Sequence, residues 1–129
     1  MRIQQAGSAA GWLLAVALAG CAASVETVPV VFVPAEGGDI AIASDVAVSL
    51  PTGYRRSLPA GSRWHKVGSV PQGEVYRPVG TVFTIEGRHV HEAYLVLTPQ
   101  RALTAFYLPG ESNLSTLAAP IPLPLKETP

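Results

Sequence analysis

The chain has 129 residues and a formal net charge of zero, nine Lys and Arg against nine Asp and Glu, with 14% charged and 48% hydrophobic residues. That length holds one small domain at most. The even balance argues against a nucleic-acid partner, which calls for a basic patch, and a single Cys excludes a disulfide framework and any multi-Cys zinc site.

Residues 1–21 read MRIQQAGSAAGWLLAVALAGC, with Arg2 the only charged side chain and a dense apolar run from Trp12 to Ala19. This is the charged start and apolar centre of a secretory signal peptide, and the run is too short to span a bilayer, which takes about 20 residues. Its last four residues, Leu18-Ala19-Gly20-Cys21, resemble the lipobox of bacterial lipoproteins. The resemblance implies that residues 1–20 are removed and that Cys21 carries a diacylglycerol on sulfur and an N-acyl chain on the new amine, with no other cofactor. Two or more acyl chains give stable membrane attachment without a transmembrane helix. Ala22, where inner-membrane lipoproteins of enterobacteria tend to carry Asp, leans toward an outer-membrane address facing the periplasm. Without Arg2 the remaining 109 residues have eight basic and nine acidic side chains, a net charge of −1, and they hold all 12 prolines.

Residues 21–38 read as a lipidated tether, its β-branched stretch Thr27 to Val33 interrupted by Pro29. A β domain is expected over 39–110. Ile40, Ile42, Val46, Val48 and Leu50 share one parity and predict a strand with a kink near Ser44-Asp45. Pro51-Thr52-Gly53 turns the chain, and Tyr54 to Gly61 reads as a loop. Strands follow at Ser62 to Val70, Glu74 to Val79 and Ala102 to Leu108, with turns at Pro71, Pro99 and Pro109. Between them, Thr81 to Leu97 forms a hairpin about Gly87-Arg88. A two-residue loop there pairs Glu86 with His89, Ile85 with Val90, Thr84 with His91 and Phe83 with Glu92. Phe83, Ile85, Val90, Tyr94 and Val96 then face the core, while Thr84, Glu86, His89 and His91 share the other face.

Residues 111–129 are expected to hold a short helical turn, stopped by Pro120, and a Pro-rich tail. Pro120, Pro122 and Pro124 would leave one side of an extended tail without N–H donors, so it could pair with a sheet edge and offer nothing to a further chain. A loosely held polyproline-like tail is the alternative. Short strands between Gly/Pro turns predict an all-β fold, at this size a small, partly open SH3-like barrel ahead of a compact antiparallel sandwich.

Two constellations carry candidate chemistry. His89 and His91, two apart on a strand, converge with Glu86 across the hairpin on a set that suits Zn or Cu. Tyr54, Arg55, Arg56, Arg63 and Trp64, with Lys66 nearby, form a basic and aromatic patch fit for an anionic partner such as lipid headgroups, lipopolysaccharide or peptidoglycan, and an envelope protein is a further expected partner. A nucleophile elbow and a phosphate loop are missing from the sequence, and Glu86 and Glu92 fall on opposite faces in the predicted register. The expectation is a non-catalytic envelope lipoprotein with a structural or protein-interaction role. The alternative is a small ligand-binding or inhibitor module of the periplasm.

Overall fold

The computed structural model describes residues 26–127. The signal peptide, Cys21 and Ala22 lie outside them. The described chain is all-β and antiparallel, with no helix. Thirteen strands run in order: β1 Val28–Pro29, β2 Val33–Pro34, β3 Asp39–Ile42, β4 Val46–Ser49, β5 Arg55–Leu58, β6 Arg63–Val70, β7 Gly73–Pro78, β8 Thr84–Glu86, β9 Val90–Glu92, β10 Tyr94–Leu97, β11 Ala102–Leu108, β12 Asn113–Pro122 and β13 Leu125–Glu127. The main sheet has the order β1-β12-β11-β10-β7-β6-β3-β13, with β2 added beside β6. The ribbons β4-β5 and β8-β9 stand apart from it.

The sheets do not close into a barrel, and the arrangement fits a small β sandwich. Its two ends are nevertheless near each other. Pro122 pairs with Ala102 at one end of the strand order, and Leu125 pairs with Ile42 at the other. Three residues of chain reach no further than about 10 Å, so the main sheet is strongly curled.

Both faces of the main sheet are covered. On one, Leu95, Leu97, Leu103, Phe106, Leu108 and Trp64 pack with Val46, Val48, Leu50 and Leu58 of the β4-β5 ribbon and Phe83 and Ile85 of β8 and its approach. On the other, Val70, Val75, Val96, Ala105, Tyr107 and Leu114 form a smaller cluster under Val30 and Phe32. Alternation explains the division: along β10, Leu95 and Leu97 face the first cluster while Tyr94 and Val96 face the second.

The expected kink at Ser44-Asp45 is a full break, since β3 lies in the main sheet and β4 in a separate ribbon. Asp45 Oδ1 accepts from the Ala60 amide at 2.7 Å, tying the break to the end of β5. The stretch read as a loop from Tyr54 contains β5, which pairs Arg56 with Val48 and Leu58 with Val46.

Three further expectations are corrected. The segment read as a tether is docked. Val28 pairs with Leu114 and Val33 with Ser69, and the Phe32 ring stacks on Tyr107 at 4.9 Å. The helical turn predicted within 111–119 is strand, with Leu114 opposite Tyr107 and Thr116 opposite Ala105. Leu114, Ser115 and Leu117 are buried, and pairing with β11 satisfies backbone groups that an isolated turn would leave open. Beyond Thr116 the register slips, so that Ile121 faces Leu103. The Pro-rich tail does pair with the sheet; Ile121, Leu123 and Leu125 pack on the first cluster, and the Pro124 carbonyl accepts from the Ala43 amide at 2.6 Å.

The third correction is the hairpin register. The observed pairs are Glu86 with Val90, Ile85 with His91 and Thr84 with Glu92, so the loop has three residues, Gly87 to His89. A one-residue slip reverses the facing of a whole strand. With the shorter loop, Glu92 would lie beside buried Phe83. The observed register puts Ala93 there, its amide donating to the Phe83 carbonyl at 2.9 Å, and leaves Val90 64% exposed. Exposing a Val forfeits about 1.5–3 kcal/mol, less than the several kcal/mol of burying an unpaired carboxylate.

Candidate functional site

The register change separates the predicted metal ligands. Glu86 accepts a hydrogen bond from the Tyr54 hydroxyl at 3.2 Å on the outer face. His91 turns to the side of Ile85, where its Nδ1 meets Glu111 Oε1 at 2.7 Å. His89 sits in the loop, its ring 6.4 Å from that of His91. Among the described residues no group of three or more His, Cys, Asp or Glu is placed to hold a metal ion. Glu86 and Glu92, expected on opposite faces, lie on the same outer face.

The basic and aromatic patch is divided by strand alternation. Arg55 and Arg56 are neighbours on β5, so Arg55 points to solvent while Arg56 turns toward the core edge with Leu58. Trp64 is buried. Its indole N–H donates to Ser62 Oγ at 3.2 Å, and its ring meets the edge of Phe83 at 5.5 Å. Tyr54 is half-buried, and desolvation first, then the Glu86 carboxylate, hold its hydroxyl above the usual tyrosine range. Lys66, read as part of the patch, is paired with Glu74 across β6 and β7; that hydrogen bond raises its pKa.

Arg56, Arg63 and Trp64 reconverge on a groove of about 330 Å³. Its walls come from three places: the β5 end and following turn (Arg56, Ser57, Pro59), the start of β6 (Ser62, Arg63, Trp64), and the β7–β8 connection (Pro78, Val79, Val82, Phe83). Val82 is 65% and Val79 37% exposed, so one apolar wall faces solvent. The lining has two guanidiniums and no carboxylate.

The two arginines are held differently. Arg56 Nε donates to the Thr84 carbonyl at 2.8 Å, and its guanidinium lies 4.5 Å from the centre of the Phe83 ring. That stacking is a cation–π contact and fixes the plane of the fork. Arg63, more exposed, donates to Asp39 Oδ2 at 3.2 Å. Asp39 also meets His65 Nδ1 at 2.5 Å, and chiefly that hydrogen bond, with Arg63 assisting, holds its carboxyl below the ordinary value of 3.8. The acidic partner of the groove's rim is thus already engaged.

Sequence reasoning found Arg56, Arg63 and Trp64 but missed Phe83 and the Val79–Val82 wall. No local signal marks that stretch as a wall, because it reaches the groove only when β7 and the β8-β9 ribbon pack beside β5. No protein-family model, curated protein or solved structure matches this chain.

Proposed function

We propose that this protein is a bacterial envelope lipoprotein, anchored through acyl chains on Cys21, whose β domain serves a non-catalytic structural or protein-interaction role close to the membrane surface. The observation that carries the reading is the lipobox-like Leu18-Ala19-Gly20-Cys21 followed, seven residues after Cys21, by Val28, which is already paired into the sheet. Seven residues reach at most about 25 Å. An anchor at Cys21 therefore holds the folded domain against the bilayer rather than on a long leash. The outer membrane is the proposed address, from Ala22.

The test is Cys21→Ser. The native protein is expected in the membrane fraction, labelled by exogenous palmitate and extracted only by detergent. The variant is expected unlabelled and released. A Cys21→Ser protein that remains membrane-bound overturns the anchor. The interaction role is tested by crosslinking and co-purification of the native protein from membranes; repeated recovery of the protein alone overturns it.

A second reading, a small ligand-binding module, is favoured by one observation. The groove combines an apolar wall with an oriented guanidinium, the usual make-up of a small-molecule site.

A further inference from the structure

We infer that the groove between β5, the start of β6 and the β7–β8 connection is a binding site for a monocarboxylate on a short apolar body, with Arg56 as the residue that receives the carboxylate. This rests on the second reading above and is independent of the anchor at Cys21, so its failure leaves the lipoprotein reading standing.

Arg56 is prepared for an anion in three ways. Its Nε is used by the Thr84 carbonyl, which fixes the fork and leaves the two terminal nitrogens without an ion-pair partner among the described residues. Its plane is set by Phe83. The Glu86 carboxylate accepts from the Tyr54 hydroxyl and makes no ion pair with Arg56 among the described residues. A planar guanidinium with two parallel donors matches a carboxylate in a bidentate pair. The energetic cost of ordering the side chain is already met by the fold, so binding is not charged for it again.

The rest of the groove sets the ligand class. Pro59, Pro78, Val79, Val82 and Phe83 offer apolar contact, and the Ser62 hydroxyl, whose oxygen accepts from Trp64, has its own proton to donate. A single unpaired guanidinium matches a single negative charge. A dianion would need Arg63 as well, and Arg63 is held by Asp39. The volume, about 330 Å³, is at the small end of ligand sites, which points to a short body rather than a long acyl chain.

The experiment is calorimetric titration of the purified full chain, in zwitterionic nanodiscs against empty-nanodisc blanks where it carries acyl chains and in buffer where it does not, with butanoate, hexanoate, 4-phenylbutanoate and the neutral 4-phenylbutanamide. Saturable binding is expected, tightening as the apolar body grows, and the amide is expected to bind at least about tenfold more weakly than the matching carboxylate. Arg56→Gln should weaken the carboxylate about tenfold and leave the amide unchanged, while Arg56→Lys, which keeps charge but not the fork, falls between. Arg55→Gln, on the opposite face of β5, should bind like the native chain. The inference is overturned by no saturation with any carboxylate up to roughly millimolar concentration, by equal affinity for amide and carboxylate, or by Arg55→Gln weakening binding as much as Arg56→Gln. The comparison of amide with carboxylate on the native chain stays decisive even if an Arg56 variant fails to fold.

Discussion

Gly68→Ala should loosen the N-terminal segment from the sheet. Gly68 sits on β6 opposite Pro34 of β2, and a Cβ there would overlap the Phe32 ring and the Val33 carbonyl. The ring can swing, but the carbonyl belongs to the docked backbone. Two routes bound the cost. If the segment stays docked, overpacking costs about 1–3 kcal/mol. If it lifts, the molecule loses the Phe32–Tyr107 stack, worth about 0.5–1.5 kcal/mol beyond buried area, with the cover over Val70 and Val96. Both routes give a loss of about 1–3 kcal/mol, a large share of a small domain's stability. Chemical denaturation of the chain measures that loss. Hydrogen exchange locates it, with the Val30, Ala35 and Gly37 amides, bonded to Ser112, Val67 and Lys66 carbonyls, losing protection before Leu95 or Phe106. Because the ring is one of the two groups the new methyl meets, Phe32→Ala and Gly68→Ala should couple by at least about 0.5 kcal/mol in a double-mutant cycle. An unfolding free energy unchanged within about 0.5 kcal/mol, or costs that simply add, would exclude the clash at Gly68.

Two other outcomes follow from the same geometry. The three-residue hairpin loop predicts that Val90→Ser shifts stability by no more than about 0.5 kcal/mol while Ile85→Ala costs about 2–5 kcal/mol, because Ile85 is fully buried and Val90 is not; similar costs at both sites would restore the two-residue register. Asp39 is held below the ordinary carboxylate value of 3.8, mainly by its hydrogen bond to His65. The stabilisation from its ionised form is thus present above that value and is lost as pH falls through the depressed folded one. The stability gap between native chain and Asp39→Asn should therefore shrink on acidification below about pH 4, and a gap constant from pH 7 to about pH 3 would remove the Asp39–His65 pairing as its source.

Much of the strand content was legible from local pattern. The strands at β6, β7 and β11 stand between Pro- and Gly-containing turns, where alternation and turn chemistry act within a few residues. What failed depended on partners distant in the chain. Residues 28–34, interrupted by Pro29, read as tether because nothing local reveals that Phe32 will find Tyr107, 75 positions on. Residues 111–119 read as a helical turn because strand β12 exists through its pairing with β11.

The site divides in the same way. A cluster of Arg and Trp is visible along the chain, and so Arg56, Arg63 and Trp64 were within reach. Strand parity then sent Arg55 to solvent and Trp64 inward, and Phe83 came from a ribbon whose register no local rule decides. Composition, the lipobox-like segment and the β pattern are properties of neighbouring residues and can be read along the chain. The hairpin register, the docked N-terminal segment and the groove were decided by the tertiary structure. There a choice such as Ala93 rather than Glu92 beside Phe83 is set by the cost of burying a charge against the whole core.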